Sequence, residues 1–211
     1  DRPRPDRGWQ AVAPLTETQL LTHSDPKVRQ PEYDRYYIGT SFRTDEDLAY
    51  ALQVGLDVLG GGPTSQLYQA LVEDQKIALS ASAWSWSTLH DAGPAGFSAT
   101  PAQGVSLDEL EAALMAEVEA ALAEGFPEEA VIRSRNSLAA NAIYARDSQT
   151  GMANLYGRVL ATGGTIEEVL EYEDRIRSVT PEQAIDALRT VFAEDKHYVE
   201  AHLLPEEETG E

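Results

Sequence analysis

The chain has 211 residues, with 36 acidic against 16 basic side chains, a formal charge of −20, 42% hydrophobic residues and no cysteine. Those proportions are globular, and at this length folding hides roughly 70% of the surface that the unfolded chain exposes. The charge repels phosphate backbones and anionic lipid, so no nucleic-acid partner is expected. The missing thiols remove disulfides, thiolate catalysis and cysteine-based zinc sites together.

Asp1 to Gly8, with Pro3 and Pro5, reads as a linker without a Met or an apolar signal segment, so the chain reads as a processed piece. No run approaches the ~18 apolar residues of a membrane span. Trp9–Leu15 and Leu20–His23 are candidate short strands, and Tyr33–Phe42 is a stronger one, with Tyr36, Ile38, Thr40 and Phe42 on one face. The period then becomes helical through Leu48, Leu52, Leu56 and Leu59, and stops at Gly60-Gly61-Gly62-Pro63. A short helix over Thr64–Gln75 follows, then two strands, Ile77–Trp86 and Gly96–Pro101, around a polar turn at His90–Pro94.

Ser106-Leu107-Asp108-Glu109 is a capping box that opens a helix with an apolar stripe from Leu107 to Leu122, closed by Gly125. Pro127 starts the next helix, which runs to about Tyr144. Met152, Leu155, Tyr156, Val159 and Leu160 mark another, and Thr165 and Thr180 each open a further capping box. His197–Leu204 reads as a closing strand before an acidic tail over 206–211. Helices grouped together, rather than alternating with strands, predict an α+β fold: one domain over 9–205, its largely antiparallel sheet covered by helices on one face.

No catalytic motif is complete. The glycine run lacks the Gly-Lys-Ser/Thr end of a P-loop, and no Gly-x-Ser-x-Gly elbow occurs. His197, Glu200 and His202 are tempting zinc ligands, but in a strand a spacing of five sends the two rings to opposite faces. Arg133, Arg135 and Arg146 have the chemistry for an anion, although such residues more often pair with neighbouring acids. A carboxylate pair acting alone, as in glycosidases, has no distinctive spacing to find it by.

The segment Val58-Leu59-Gly60-Gly61-Gly62-Pro63-Thr64-Ser65-Gln66-Leu67-Tyr68, continuing to Glu73, resembles the pitrilysin (insulinase and mitochondrial-processing-peptidase) family of zinc metallopeptidases. Gln30-Pro31-Glu32-Tyr33 before it fits the same pattern, as do Glu124-Gly125-Phe126-Pro127, Ile176–Glu182 and His202-Leu203-Leu204-Pro205 after it, all in order. The resemblance implies a metallopeptidase-half αβ sandwich. Catalytic members carry His-x-x-Glu-His, which this chain lacks, so it corresponds to the zinc-free C-terminal half. An Arg and a Tyr that hold substrate in some zinc-free halves align with Val72 and Leu79 here. A half lacking both features fits the C-terminal domain of a zinc-bearing subunit. The implied partners are that N-terminal half or a second family subunit, and a peptide. No catalytic residue, metal ligand or cofactor is expected in this chain itself, and zinc is expected in the partner half. Gly60, Gly61, Gly62 and Ser65 are the candidate chamber-lining loop, and an inert scaffold subunit is the alternative function. Relatives of this kind occur in the bacterial periplasm and in cytoplasm, and the sequence chooses neither.

Overall fold

The computed structural model describes residues 8–206. Five strands form one sheet in the order β1-β5-β2-β4-β3. They are β1 (Gln19–Asp25), β2 (Glu32–Ile38), β3 (Ala78–Ser85), β4 (Pro94–Pro101) and β5 (Tyr198–Pro205). Only β1 against β5 is parallel; the other three pairings are antiparallel. The α+β reading with a largely antiparallel sheet therefore stands. The linker and most of the acidic tail lie outside the described residues.

Among the described residues the α-helices are α1 (Glu46–Gly60), α2 (Gln66–Tyr68), α3 (Leu107–Glu124), α4 (Glu128–Ala145), α5 (Gln149–Ala161), α6 (Ile166–Ser178) and α7 (Pro181–Val191). Their starts follow the sequence closely. Asp45, Ser106, Ser148, Thr165 and Thr180 each accept a backbone N–H with the side chain, and the last two complete capping boxes. That satisfies N–H groups which the first helical turn leaves without partners.

Alternation decides which strand residues meet the core. Tyr33, Arg35 and Tyr37 on β2 are buried, as are Ala81 and Ala83 on β3 and Ala95, Phe97 and Ala99 on β4. Phe192, just after α7, closes on that face, with its ring 5.0 Å from Tyr37 and 4.7 Å from Phe97. The opposite face is polar and aromatic. Tyr36 meets Trp84 edge-on at 5.3 Å, and Trp84 Nε1 donates to Ser98 Oγ at 3.0 Å.

Three expectations need correction. The predicted strand over Trp9–Leu15 does not form. That segment crosses the His90 turn instead, with Trp9 stacked on His90 at 4.3 Å and the Val12 N–H donating to Asp91 Oδ2 at 2.6 Å. The strand predicted over Tyr33–Phe42 is β2, which stops at Ile38, and its buried face is Tyr33, Arg35 and Tyr37 rather than the even-numbered set. Beyond it, the Ser41 carbonyl accepts the N–H groups of Thr44 and Asp45, so a turn ends the extended chain and delivers the cap of α1. The helix expected over Thr64–Gln75 is a single α turn that widens into a π-helix over Gln69–Asp74.

Candidate functional site

The glycine loop is shaped first by packing. A Cβ on Gly60 would lie 2.1 Å from the Ala83 backbone nitrogen, so β3 passes too close for any side chain. One on Gly61 would strike Asp57 at 2.4–2.7 Å. Ser65 is buried, and both its N–H and its hydroxyl donate to the Gly62 carbonyl, at 3.0 and 2.6 Å. Of the four predicted loop residues, Gly61, Gly62 and Ser65 border a hollow of about 460 Å³ that Asp57, Arg133 and Ser134 also line. Gly60 is spent against the sheet. Asp57 and Gly61 also border an adjoining hollow of about 560 Å³, walled by Trp84, Trp86 and Arg158. Burial pushes the Asp57 carboxyl above its ordinary value, opposed by a hydrogen bond from Ser134.

The nearest approach to a metal-ligand set among the described residues comes from a residue that the sequence reading did not single out. Glu200 and His202 share one face of β5, and α3 brings Glu111 down to them, so that one ligand atom of each lies within 4.8 Å of the others. A guanidinium already sits there. Arg35 Nη2 is 2.5 Å from Glu111 Oε1 and 2.9 Å from Glu200 Oε2, and the Arg35 guanidinium lies 4.1 Å from the centroid of the Tyr198 ring. Tyr33 OH donates to Glu200 Oε2 at 3.3 Å, and His202 Nε2 lies 3.0 Å from Glu200 Oε1. Burial and the charge of Glu200 raise the Glu111 pKa, against the pull of Arg35. Glu111 lies some ninety residues from its partners, so no local spacing signals the cluster.

The other histidines do not join it. His23 and His197 are exposed, and His90 pairs with the Thr162 carbonyl at 3.0 Å. A cluster centred on an arginine, with one histidine, does not fit a catalytic zinc with its usual His-rich ligand set. The two positions aligned with the family's Arg and Tyr carry nothing comparable. Val72 packs against the core, and Leu79 is half exposed on β3, a sheet-edge strand.

Among the described residues, the three arginines noted in the sequence do not pair with acids. Arg135 Nη1 donates to the carbonyls of Arg177 and Val179 at 2.9 and 2.8 Å. Arg146 Nη2 donates to the Val169 carbonyl at 2.7 Å, and Arg133 lines the glycine-loop hollow.

The model of the family described as the peptidase M16 inactive domain matches residues 3–138. The chain belongs to that family. Solved structures share the fold of this inactive domain over nearly its whole length. A protease from Helicobacter pylori superposes with a TM-score of 0.85 at 16% identity, over 97% of this chain and 48% of its own. A peptidase M16 inactive domain from Pseudomonas fluorescens gives 0.77 at 15% identity, over 94% of this chain and 47% of that one. The inactive peptidase domain of a candidate zinc protease from Bordetella parapertussis gives 0.73 at 20% identity, over 86% and 96%. The inactive domain thus spans about half the length of the first two and nearly all of the third. No curated protein matches the sequence.

Proposed function

We propose that this inactive domain is the non-catalytic C-terminal half of a zinc metalloendopeptidase, which walls part of a peptide-binding chamber and contacts the zinc-bearing half. The observation that carries the reading is a family match joined to a missing His-x-x-Glu-His: the fold is that of an M16 domain, and the sequence lacks the motif that holds zinc in catalytic members. Contact surface is plentiful. Tyr144, Ile143, Ile166 and Leu170 on the α4–α6 flank are 44–69% exposed, and apolar surface of that kind favours a covering partner. For the peptide, β3 offers an open sheet edge, and its Ala83, Trp84 and Ser85 line the hollow of about 560 Å³ that Gly61 also borders. An extended peptide can pair with such an edge through its backbone.

Reconstitution tests this. A half carrying His-x-x-Glu-His is mixed with this chain, and cleavage of a short unfolded peptide is followed. Activity that appears only on mixing is the expected result. Cleavage by this chain alone, or by the other half at full rate without it, would refute the proposal. A stable complex that never cleaves would favour the scaffold reading instead.

A further inference from the structure

Helix α5 has the apolar stripe predicted for it but no buried residue. Beneath it lies a hollow of about 290 Å³, enclosed by Tyr50 and Gln53 of α1, Leu138 of α4, Leu155 and Val159 of α5 and Tyr172 of α6. That volume is near the lower end of small-ligand sites, which run roughly 300–1,000 Å³. It suits a body the size of one large side chain.

The charged groups of the lining are Arg43, Arg146 and Glu168. Glu168 is fully engaged: both its oxygens accept from Arg43, and one also accepts the Thr165 N–H. Arg146 is not. One Nη donates to the Val169 carbonyl, and its Nε is buried with no acceptor. It has no carboxylate partner among the described residues, in a chain where acids outnumber bases by 36 to 16. Gln53 Oε1 in the same wall is also buried without a partner. The lining therefore carries one positive charge in excess and two polar atoms without partners, set in otherwise apolar walls.

We propose that this hollow binds an apolar monocarboxylate, with Arg146 as the anchor for the carboxyl group. A planar guanidinium matches a carboxylate in shape, and one excess positive charge is balanced by one carboxylate. A phosphate dianion would bring a second charge and further acceptors that this wall does not answer. Burial pushes the Tyr50 hydroxyl up to about 12 and raises that of Tyr172 as well, so both stay neutral and add no competing anion. Two sources supply this chemistry: the C-terminal residue of a peptide ending in an apolar side chain, and a free medium-chain fatty acid. The site does not depend on the chamber reading, because the chain can be tested alone whatever reconstitution gives.

Calorimetric titration of this chain with N-acetyl-Leu-Phe, with its C-terminal amide and with octanoate decides the matter. One saturable site is expected, with the acid preferred to its amide by at least about tenfold, a loss that Arg146→Gln should reproduce. Val159→Phe, which fills the hollow from α5 and leaves every charge in place, should abolish binding. If Arg146→Gln does not fold, Arg146→Lys keeps the charge without the fork and should bind the acid more weakly than the parent chain. Tighter binding of the dipeptide assigns the site to a peptide terminus, and tighter binding of octanoate to a fatty acid. Equal affinity for acid and amide, undiminished binding by the Arg146 variant, or no saturable binding of either acid would overturn the proposal.

Discussion

The layer between the sheet and helices α1 and α7 differs sharply from the flank built by α5 and its neighbours. In the first, Leu52, Leu59 and Leu188 have no exposed surface, and β3 runs close enough to α1 to require a glycine. In the second, a 13-residue helix with five apolar positions buries none of them and stands over a hollow. Helices α1 and α5 each carry a stripe of the right period. The difference shows that periodicity specifies a helix and its inward side, whereas the elements behind it decide whether that side meets packed atoms or open space. Tight packing marks the first region, and exposed apolar side chains such as Leu160 mark the second.

The sharpest way to break the comparison is through the charged cluster between the sheet and α3. Arg35→Ala leaves Glu111 and Glu200 facing each other in a part-buried site, and removing one partner of a buried pair costs up to about 3–5 kcal/mol. Urea unfolding should show that loss. A cost below about 1 kcal/mol would mean that solvent reaches the cluster. Next comes Leu188→Ala against Leu160→Ala. The first empties a fully buried position, for about 2–5 kcal/mol; the second, at 49% exposure on α5, should stay within about 0.5 kcal/mol. Equal losses would mean that α5 is packed as tightly as α7. Gly60→Ala should cost about 1–3 kcal/mol, because β3 or the end of α1 must shift to admit the methyl group.

The pH dependence sharpens the same contrast. The folded-state pKa of Glu111 is raised, so the folded chain holds a proton that the unfolded chain releases. Its contribution is full below the ordinary value of 4.5 and is lost as pH rises through the raised folded value. Glu111→Gln cannot titrate. Its stability relative to the parent chain should therefore improve as pH rises from 4.5 upward, read as a narrowing or reversing gap in urea midpoints. A gap that widens over that range would show the sign to be wrong.

Much of the fold was legible because its signals are local. Thr165 and Thr180 announce their helices three residues ahead through Glu168 and Gln183, and Gly60 to Pro63 ends α1 where the leucine period stops. The errors fell where a distant partner decides. Trp9 and Val12 look strand-forming, but their partners are His90 and Asp91, some eighty residues on. The odd face of β2 is buried, against the hydrophobic pattern, because Arg35 is matched by carboxylates from α3 and β5. The glycine loop was visible as a turn, but the hollow beside it needs Arg133 and Ser134 from α4. The arginines were visible as residues, while their lack of acidic partners is a fact of three dimensions.

The smallest effect tests whether α5 stands free of the core. A Cβ on Gly157 meets nothing within 4 Å, whereas one on Gly55 of α1 lies 2.7 Å from the Ala184 carbonyl. Glycine inside a helix costs roughly 0.5–1 kcal/mol relative to alanine, because it gives up more backbone freedom on folding. Gly157→Ala should therefore raise stability by up to that amount, with no packing penalty to offset the gain. If α5 opens separately from the sheet layer, the gain belongs to the local opening and leaves global unfolding almost unchanged. Hydrogen exchange separates the cases. Slower exchange confined to Gln149–Ala161, at an unchanged urea midpoint, means that the flank is its own cooperative unit. A higher midpoint together with slower exchange in α1 and α7 would join the two regions into one, and the comparison would fail.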